Sequence, residues 1–443
     1  MTAIADLPVA PNRLPLLGHS VAAMRDPIGF LEQLRPLGPM VRFSIGPREA
    51  VLVLGPDQLH ELLLTKADHF RNGRFAQHVE PLVGRSVLLL TGDEHGHRRR
   101  LFYPFLHRDA LEPFSVLAAR TAEERISSWR DRTWIDVPRE MLALEFRLMH
   151  EFIFGRRMAE DRETRFQELF DRTFRLIGPR TLLPHWADRL PLPMNRRFYR
   201  DCREIFGIIA DEVDTSLRGP VEEGAGFIKR ATEASAKAGR PLTARQVAEE
   251  AMGYIAAGTE TSASLSSWLW YEIGRNPEIQ EKARAEVDEI IGDRTPQPED
   301  VKKLTYLGSV VQEAMRFYGL PLFGRECTRP CSIGDVPIPA GTQVFFSLFA
   351  TQRSPMLYDR ADEFLPERWQ QGLVKPPHKL AYIPFSAGER RCPGDAVSML
   401  KVPLIAAEIL QRWRLCLDPS VRTTAKLELV ARPSNLHMIV RER

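Results

Sequence analysis

Residues 385–394 read Phe385-Ser386-Ala387-Gly388-Glu389-Arg390-Arg391-Cys392-Pro393-Gly394. Cys392 stands just before an expected helix, Pro393 to Arg412, with Pro393 where the first helical residue would fall. Free amides and the positive dipole end favour a thiolate there. Arg390 and Arg391 add positive charge. Such a sulfur can ligate a soft or borderline metal, haem iron among them. Gly388 and Gly394 would let the backbone approach a flat ligand closely. Residue chemistry alone leaves two other readings open: a reactive redox cysteine, or a plain buried thiol at a helix start.

The chain of 443 residues is 44% apolar and 27% charged, an ordinary globular composition. Its length alone suggests two or three domains. A formal net charge of +3 is too small to imply nucleic acid. Five cysteines, odd in number and widely spaced, argue against a disulfide framework. Cys327 and Cys331 lie four apart, but no second pair or nearby histidine completes a zinc site. The N-terminus lacks a basic and then apolar leader. No stretch approaches the roughly 18 apolar residues of a membrane span. The expectation is a soluble, cytoplasmic protein without a membrane anchor.

Working outward, Met40–Ile45 and Ala50–Leu54 read as a hairpin around Gly46-Pro47. Residues from about 109 to 315 look mainly helical, and prolines break a loop-rich stretch near 178–195 that could be a lid or a surface connection. The longest helix is expected from Thr243 to Arg275, opened by a Thr243/Gln246 capping box and closed by Asn276-Pro277. At 1.5 Å per residue it would cross a whole domain, roughly 48 Å. Its middle, Tyr254-Ile255-Ala256-Ala257-Gly258, is small and apolar and leaves room for something flat. Turn-then-strand patterns return over 336–346, and the tail from Leu427 to Val440 looks like strands.

The segment 385–394 is similar to the signature loop of the cytochrome P450 family: Phe, two residues, Gly, one, Arg, one, Cys, one, Gly. Every fixed position matches. The resemblance implies a single unit over 1–443, mainly α with a smaller β-rich region. The β-rich part would cover about 35–70 and 325–350 plus the C-terminal strands, the helical part about 90–320 and 393–412. It makes Cys392 the iron ligand of a haem b, gives Arg390 to a propionate and places Phe385 beside the sulfur. Ala257-Gly258-Thr259-Glu260-Thr261 resembles the family's oxygen-activation motif. There Thr261 would hydrogen-bond dioxygen and Glu260 would relay protons, with Ala257 and Gly258 against the cofactor. His95 and Arg99, four apart on one helical face, resemble its propionate clamp, with His95 in place of the commoner Trp. Arg325 matches a further propionate-binding arginine. Glu313 and Arg316, with Arg368 of Pro366-Glu367-Arg368-Trp369, match a buried structural network, with Trp369 where Phe is commoner. Taken without the resemblance, Glu313 and Arg316 would be a surface ion pair.

By family position the substrate pocket would draw on Phe75 and Val83, on Met252 and Ala256, on Leu320, Leu322 and Phe323, and on Leu436. Each could equally be core. The resemblance implies insertion of one oxygen atom from O2 into a lipophilic molecule. Terpene-oxidising bacterial members are the most similar, and fatty-acid or steroid hydroxylation is the alternative. No reductase module follows Arg443, so electrons are expected from ferredoxin and ferredoxin reductase. Arg98, Arg100 and Arg391 are candidates for a docking face. The Glu260-Thr261 pair argues against a peroxide-driven peroxygenase and against a non-catalytic haem sensor.

Overall fold

The computed structural model describes all residues except 1–2, 74, 108–110, 182–187, 189, 221–225, 321, 371–377 and 428–429. Its spine is the helix Ala244–Arg275. The expected capping box is formed: Thr243 Oγ1 accepts from the Gln246 amide at 3.3 Å, and Gln246 Oε1 accepts from the Thr243 amide at 2.9 Å. Pro277 opens the next helix, Pro277–Ile290, so the chain breaks at Asn276. Most of the spine is buried, which explains an apolar run without a clean polar stripe.

The β-rich part joins distant segments. A five-stranded sheet has the order Met40–Ile45, Arg48–Val53, Gln343–Phe346, Phe323–Cys327, Phe70–Asn72. The expected hairpin pairs Met40 with Val53 and Ile45 with Arg48. Arg48–Val53 then pairs parallel with Gln343–Phe346, which pairs antiparallel with Phe323–Cys327. Phe323 and Arg325, two apart on one strand, therefore share a face.

Three expectations are corrected. Thr133–Asp136, inside the stretch expected to be mainly helical, is a strand paired with His437–Val440. A four-residue edge strand owes its shape to that remote partner, which local pattern cannot reveal. The helix Glu160–Thr181 runs past residue 178, where a break was expected. Tertiary contacts hold its end: Arg180 is fully buried, 2.7 Å from Asn195 Oδ1 and 3.0 Å from Asp188 Oδ1. The middle of the expected lid, residues 182–187 and 189, lies outside the described residues. Finally, the last helix is Asp395–Arg412, with Gly394 as its N-cap and Pro393 outside it.

That last helix buries Glu408, whose Oε2 has no hydrogen-bond partner among the described residues. Arg412 is 3.7 Å away. Burial pushes the Glu408 carboxyl up to about 7, against the pull of Arg412. A carboxyl raised above its unfolded value keeps its proton in the fold, so its contribution is present below about pH 4.5 and lost as pH rises through 7. Glu408→Gln should therefore gain stability over the parent between pH 5 and pH 8, by on the order of 2 kcal/mol at the upper end. Urea denaturation across that range measures the widening gap.

Candidate active site

The cysteine loop is shaped by two left-handed residues, Ser386 at φ +61° and Gly388 at φ +75°. A Cβ on Gly388 would meet the Leu63 carbonyl oxygen at 2.1 Å, so glycine is required by the backbone beside it. At Gly394 a Cβ would meet only Cys392 Sγ, at an ordinary 3.7 Å. The Cys392 amide donates to the Phe385 carbonyl at 2.9 Å, closing the loop with Phe385 half-buried against the main core. The Gly394 amide donates to Cys392 Sγ at 3.3 Å, so the sulfur does receive a helix-entry N–H.

Cys392 is accessible, yet protein surrounds it closely enough for burial to raise its pKa. The Gly394 amide, Arg99 and Arg391 pull the other way, and Asp395 reinforces burial. In the chain alone burial wins, so the thiolate expected from dipole and arginines needs a metal to complete it.

Around this sulfur the cations converge. His95 is pushed down to about 4 by burial, by Arg390 and by Arg99. Arg325 is lowered to about 10 by burial and by Arg390. Arg390 is lowered by burial and by Arg99, against Glu389. These groups repel one another, and no ion pair links Arg99, Arg325 or Arg390 to a carboxylate among the described residues. Arg325 donates to the Gly324 carbonyl at 3.1 Å, Arg390 donates to the Leu90 carbonyl, and Arg99 sits over the Tyr103 ring. Partly buried guanidinium groups without counter-charge are costly and imply an anion.

A cavity of about 890 Å³ opens beside them. Val83, Ala256, Leu320, Leu322 and Phe323 line it, as do Ala257, Glu260, Thr261 and Arg325. Met252 and Leu436 are instead closed into the core and are not among its lining residues. The tail reaches the cavity through Ala425, Lys426 and Val430, around the hairpin of Thr424–Leu427 and Ala431–Ser434. The Phe75 side chain lies outside the described residues. Phe174 and Gly178 form a wall that sequence reasoning missed, because nothing local marks which face of the helix Glu160–Thr181 meets the cavity.

Thr261 is exposed at mid-helix, where its hydroxyl donates to the Ala257 carbonyl at 2.7 Å. Glu260 is buried and is not free: Arg432 Nε donates to its Oε2 at 2.9 Å, and a second guanidinium nitrogen reaches Oε1. Arg432 also faces Asp171 at 3.3 Å. Sequence reasoning missed Arg432, which carries no motif. Gly258 presents its Cα toward Met149 of the helix Val137–Phe154, where a Cβ would lie 2.6 Å from Met149 Cε. Arg98, expected on a docking face, is buried and paired with Glu250 at 2.8 Å. Arg98 and Arg100 lie about 200° apart around their helix, so one faces in and the other out.

Behind the loop, Glu313 accepts from Arg316 at 2.8 and 2.7 Å, from Arg368 at 3.0 Å and from the Leu365 amide at 2.9 Å. Trp369 Nε1 adds a further bond to Glu313 at 2.8 Å, which phenylalanine could not supply. The structure thus brings all three expected network residues together, fully or nearly fully buried.

A sulfur facing cations that lack counter-charges suits a protein holding a planar, iron-centred dianion. The family model of cytochrome P450 matches residues 8–440, and the chain belongs to that family. It is 31% identical over 435 residues to cyclooctatin synthase of Streptomyces melanosporofaciens, covering 96% of this chain and 94% of that protein. It is 26% identical over 432 residues to pentalenene oxygenase of Streptomyces avermitilis, covering 97% and 96%. The crystal structure of the cytochrome P450DA heme domain superposes with a TM-score of 0.87 over 99% of this chain and 98% of that one, at 22% identity. The protein is a cytochrome P450 monooxygenase and its cofactor is haem. The donor set fits: one sulfur for the iron, and uncompensated cations for two propionates.

Trp369→Phe removes a hydrogen bond to a buried carboxylate and should lower the unfolding free energy by about 1.5–3 kcal/mol. Chemical denaturation measures that loss. Haem content at ambient temperature should stay near the parent's, because the two arginines still satisfy Glu313.

Proposed function

We propose that this enzyme inserts one atom of O2 into a lipophilic small molecule, a terpene, with electrons from a separate ferredoxin and its reductase, in the cytoplasm. The observation that carries this is the position of Thr261, a hydroxyl open to a largely apolar cavity with a buried acid one residue before it. The two Streptomyces relatives named for terpenoid products or substrates support the substrate class. Among the described residues no helix is long and apolar enough to cross a membrane.

Haem, when bound through Cys392, supplies the activation of dioxygen at a thiolate-ligated iron. The chain does the rest. Arg325, Arg390 and Arg99, with His95, would hold the propionates. Phe385 would screen the sulfur, and Ala257 presents a small side chain to the cavity. Thr261 can turn its hydroxyl from the Ala257 carbonyl toward the reacting oxygen. Glu260 delivers protons only when its grip on Arg432 loosens, and Asp171 offers that guanidinium a second partner. Val83, Ala256, Leu320, Leu322 and Phe323 exclude water and orient the substrate by shape. Glu313, Arg316 and Arg368 hold the frame behind the loop.

The carbon monoxide difference spectrum of the reduced protein should show the red-shifted band of a thiolate ligand, and Cys392→Ser should abolish it. A spectral-shift panel of terpenes, fatty acids and steroids should then give the tightest binding for a terpene. Tightest binding by a fatty acid would remove the terpene assignment.

With Arg98 buried, the docking face reduces to Arg100 and Arg391, both exposed, the latter paired with Asp395 at 2.6 Å. Arg100→Glu should slow reduction by ferredoxin about tenfold at low salt and lose that effect at high salt, as charge-steered association does. Stopped-flow reduction measures it, and an unchanged rate at low salt removes Arg100 from the interface.

A further inference from the structure

The spine helix meets a second charged group that the chemistry above does not use. Lys401 Nζ lies 2.6 Å from Glu145 Oε2 and 3.2 Å from the Gly258 carbonyl oxygen. Both side chains are 1% exposed. Lys401 comes from the helix that follows Cys392, and Glu145 from Val137–Phe154. Burying such a pair costs about as much as the attraction returns, and an apolar pair of similar size would pack as well. The pair therefore calls for a reason beyond packing.

Two details point to the oxygen motif. The Lys401 ammonium engages the carbonyl of Gly258, while Thr261 engages that of Ala257 at 2.7 Å. Successive carbonyls in one turn are thus each held by a side chain. Glu145 Oε1 and, next to Gly258 in sequence, Thr259 Oγ1 are buried with no hydrogen-bond partner among the described residues. Buried polar atoms of this kind take ordered water.

We propose that Lys401, anchored by Glu145, is a positioning residue for the oxygen chemistry: by holding the Gly258 carbonyl it sets where the Ala257–Thr261 turn stands over the cavity. The proposal rests on the assignment of Thr261 to that chemistry. Two electrons and two protons delivered with O2 end either in hydroxylated product and one water, or in hydrogen peroxide. A displaced Thr261 shifts the division toward peroxide, because reacting groups tolerate little misplacement.

The test compares the holoenzyme with Lys401→Met/Glu145→Leu, which removes both charges together and so leaves neither buried alone. Amide hydrogen exchange at Gly258–Ser262 should quicken at least about tenfold, with the ends of the spine helix unchanged. With farnesol as probe substrate, peroxide released per NADPH consumed should rise at least about threefold while the spectral dissociation constant stays within about twofold. Glu145→Gln leaves the ammonium buried without its counter-charge and should quicken exchange in the same segment, as loss of the anchor requires. Unchanged exchange in the double variant overturns the proposal. So does parent-like exchange in Glu145→Gln, since Lys401 would then hold the carbonyl without its anchor. If the double variant does not fold, Lys401→Leu with Glu145→Met, which likewise leaves no donor to the Gly258 carbonyl, replaces it under the same criteria. Exchange is read without turnover, so failure of the parent to oxidise anything would sink the Thr261 assignment and leave the hold on the helix separately measured.

Discussion

The placement of the Cys392 loop depends on the carboxylate of Glu313. It is wholly buried, and an ion of that size away from water survives only if its acceptor positions are filled. Arg316, Arg368, Trp369 and the Leu365 amide fill them. Arg316 then extends the frame by donating to the carbonyls of Gln352 and Ala361 at 2.9 Å. Gln352 in turn accepts from the Ile383 amide at 2.8 Å, and the Ser386 amide donates to Ile383 at 2.8 Å. A continuous run of hydrogen bonds thus leads from Glu313 to the first turn of the cysteine loop. A loop with two left-handed residues has little intrinsic preference for its shape, so its placement is borrowed from this frame.

The distribution of charge separates two tasks. Most buried arginines here have carboxylates: Arg98 with Glu250, Arg316 with Glu313, Arg180 with Asp188. Near Cys392 the pattern reverses, and cations face each other. The fold bears that repulsion where an anionic cofactor relieves it, much as a metal site bears clustered carboxylates. His95 fits the same logic. Held near 4 by burial and two arginines, it stays neutral at ordinary pH and can offer a ring N–H without adding charge.

What could be read from residues alone was what local chemistry dictates. The Thr243/Gln246 box and the Asn276-Pro277 stop are contacts within four residues, and both stand where expected. The Glu313, Arg316 and Arg368 contacts were reached only through the family pattern, since Glu313 and Arg316 by themselves look like a surface pair. Three of the failures share one cause. Strand Thr133–Asp136 depends on His437–Val440, the inward turn of Arg98 depends on Glu250, and the burial of Leu436 depends on how the tail packs. Each is set by a partner more than a hundred residues away, which spacing within a segment does not encode.

The long helix is gripped from three sides by buried charge. Glu250 ties it to the helix of His95 and Arg99, the Gly258 carbonyl to Lys401 and Glu145, and Glu260 to Arg432. Packing alone would let a small-sided helix slide or rotate slightly, because alanines and glycines interlock weakly. Directional bonds do not permit that. The third grip has a further consequence. Arg432 sits beside Ala431 and Val430, and Val430 lines the cavity, so the wall that meets substrate and the hand that holds the acid belong to one short hairpin. A movement of this wall is therefore passed to the guanidinium by covalent connection rather than through the length of the helix.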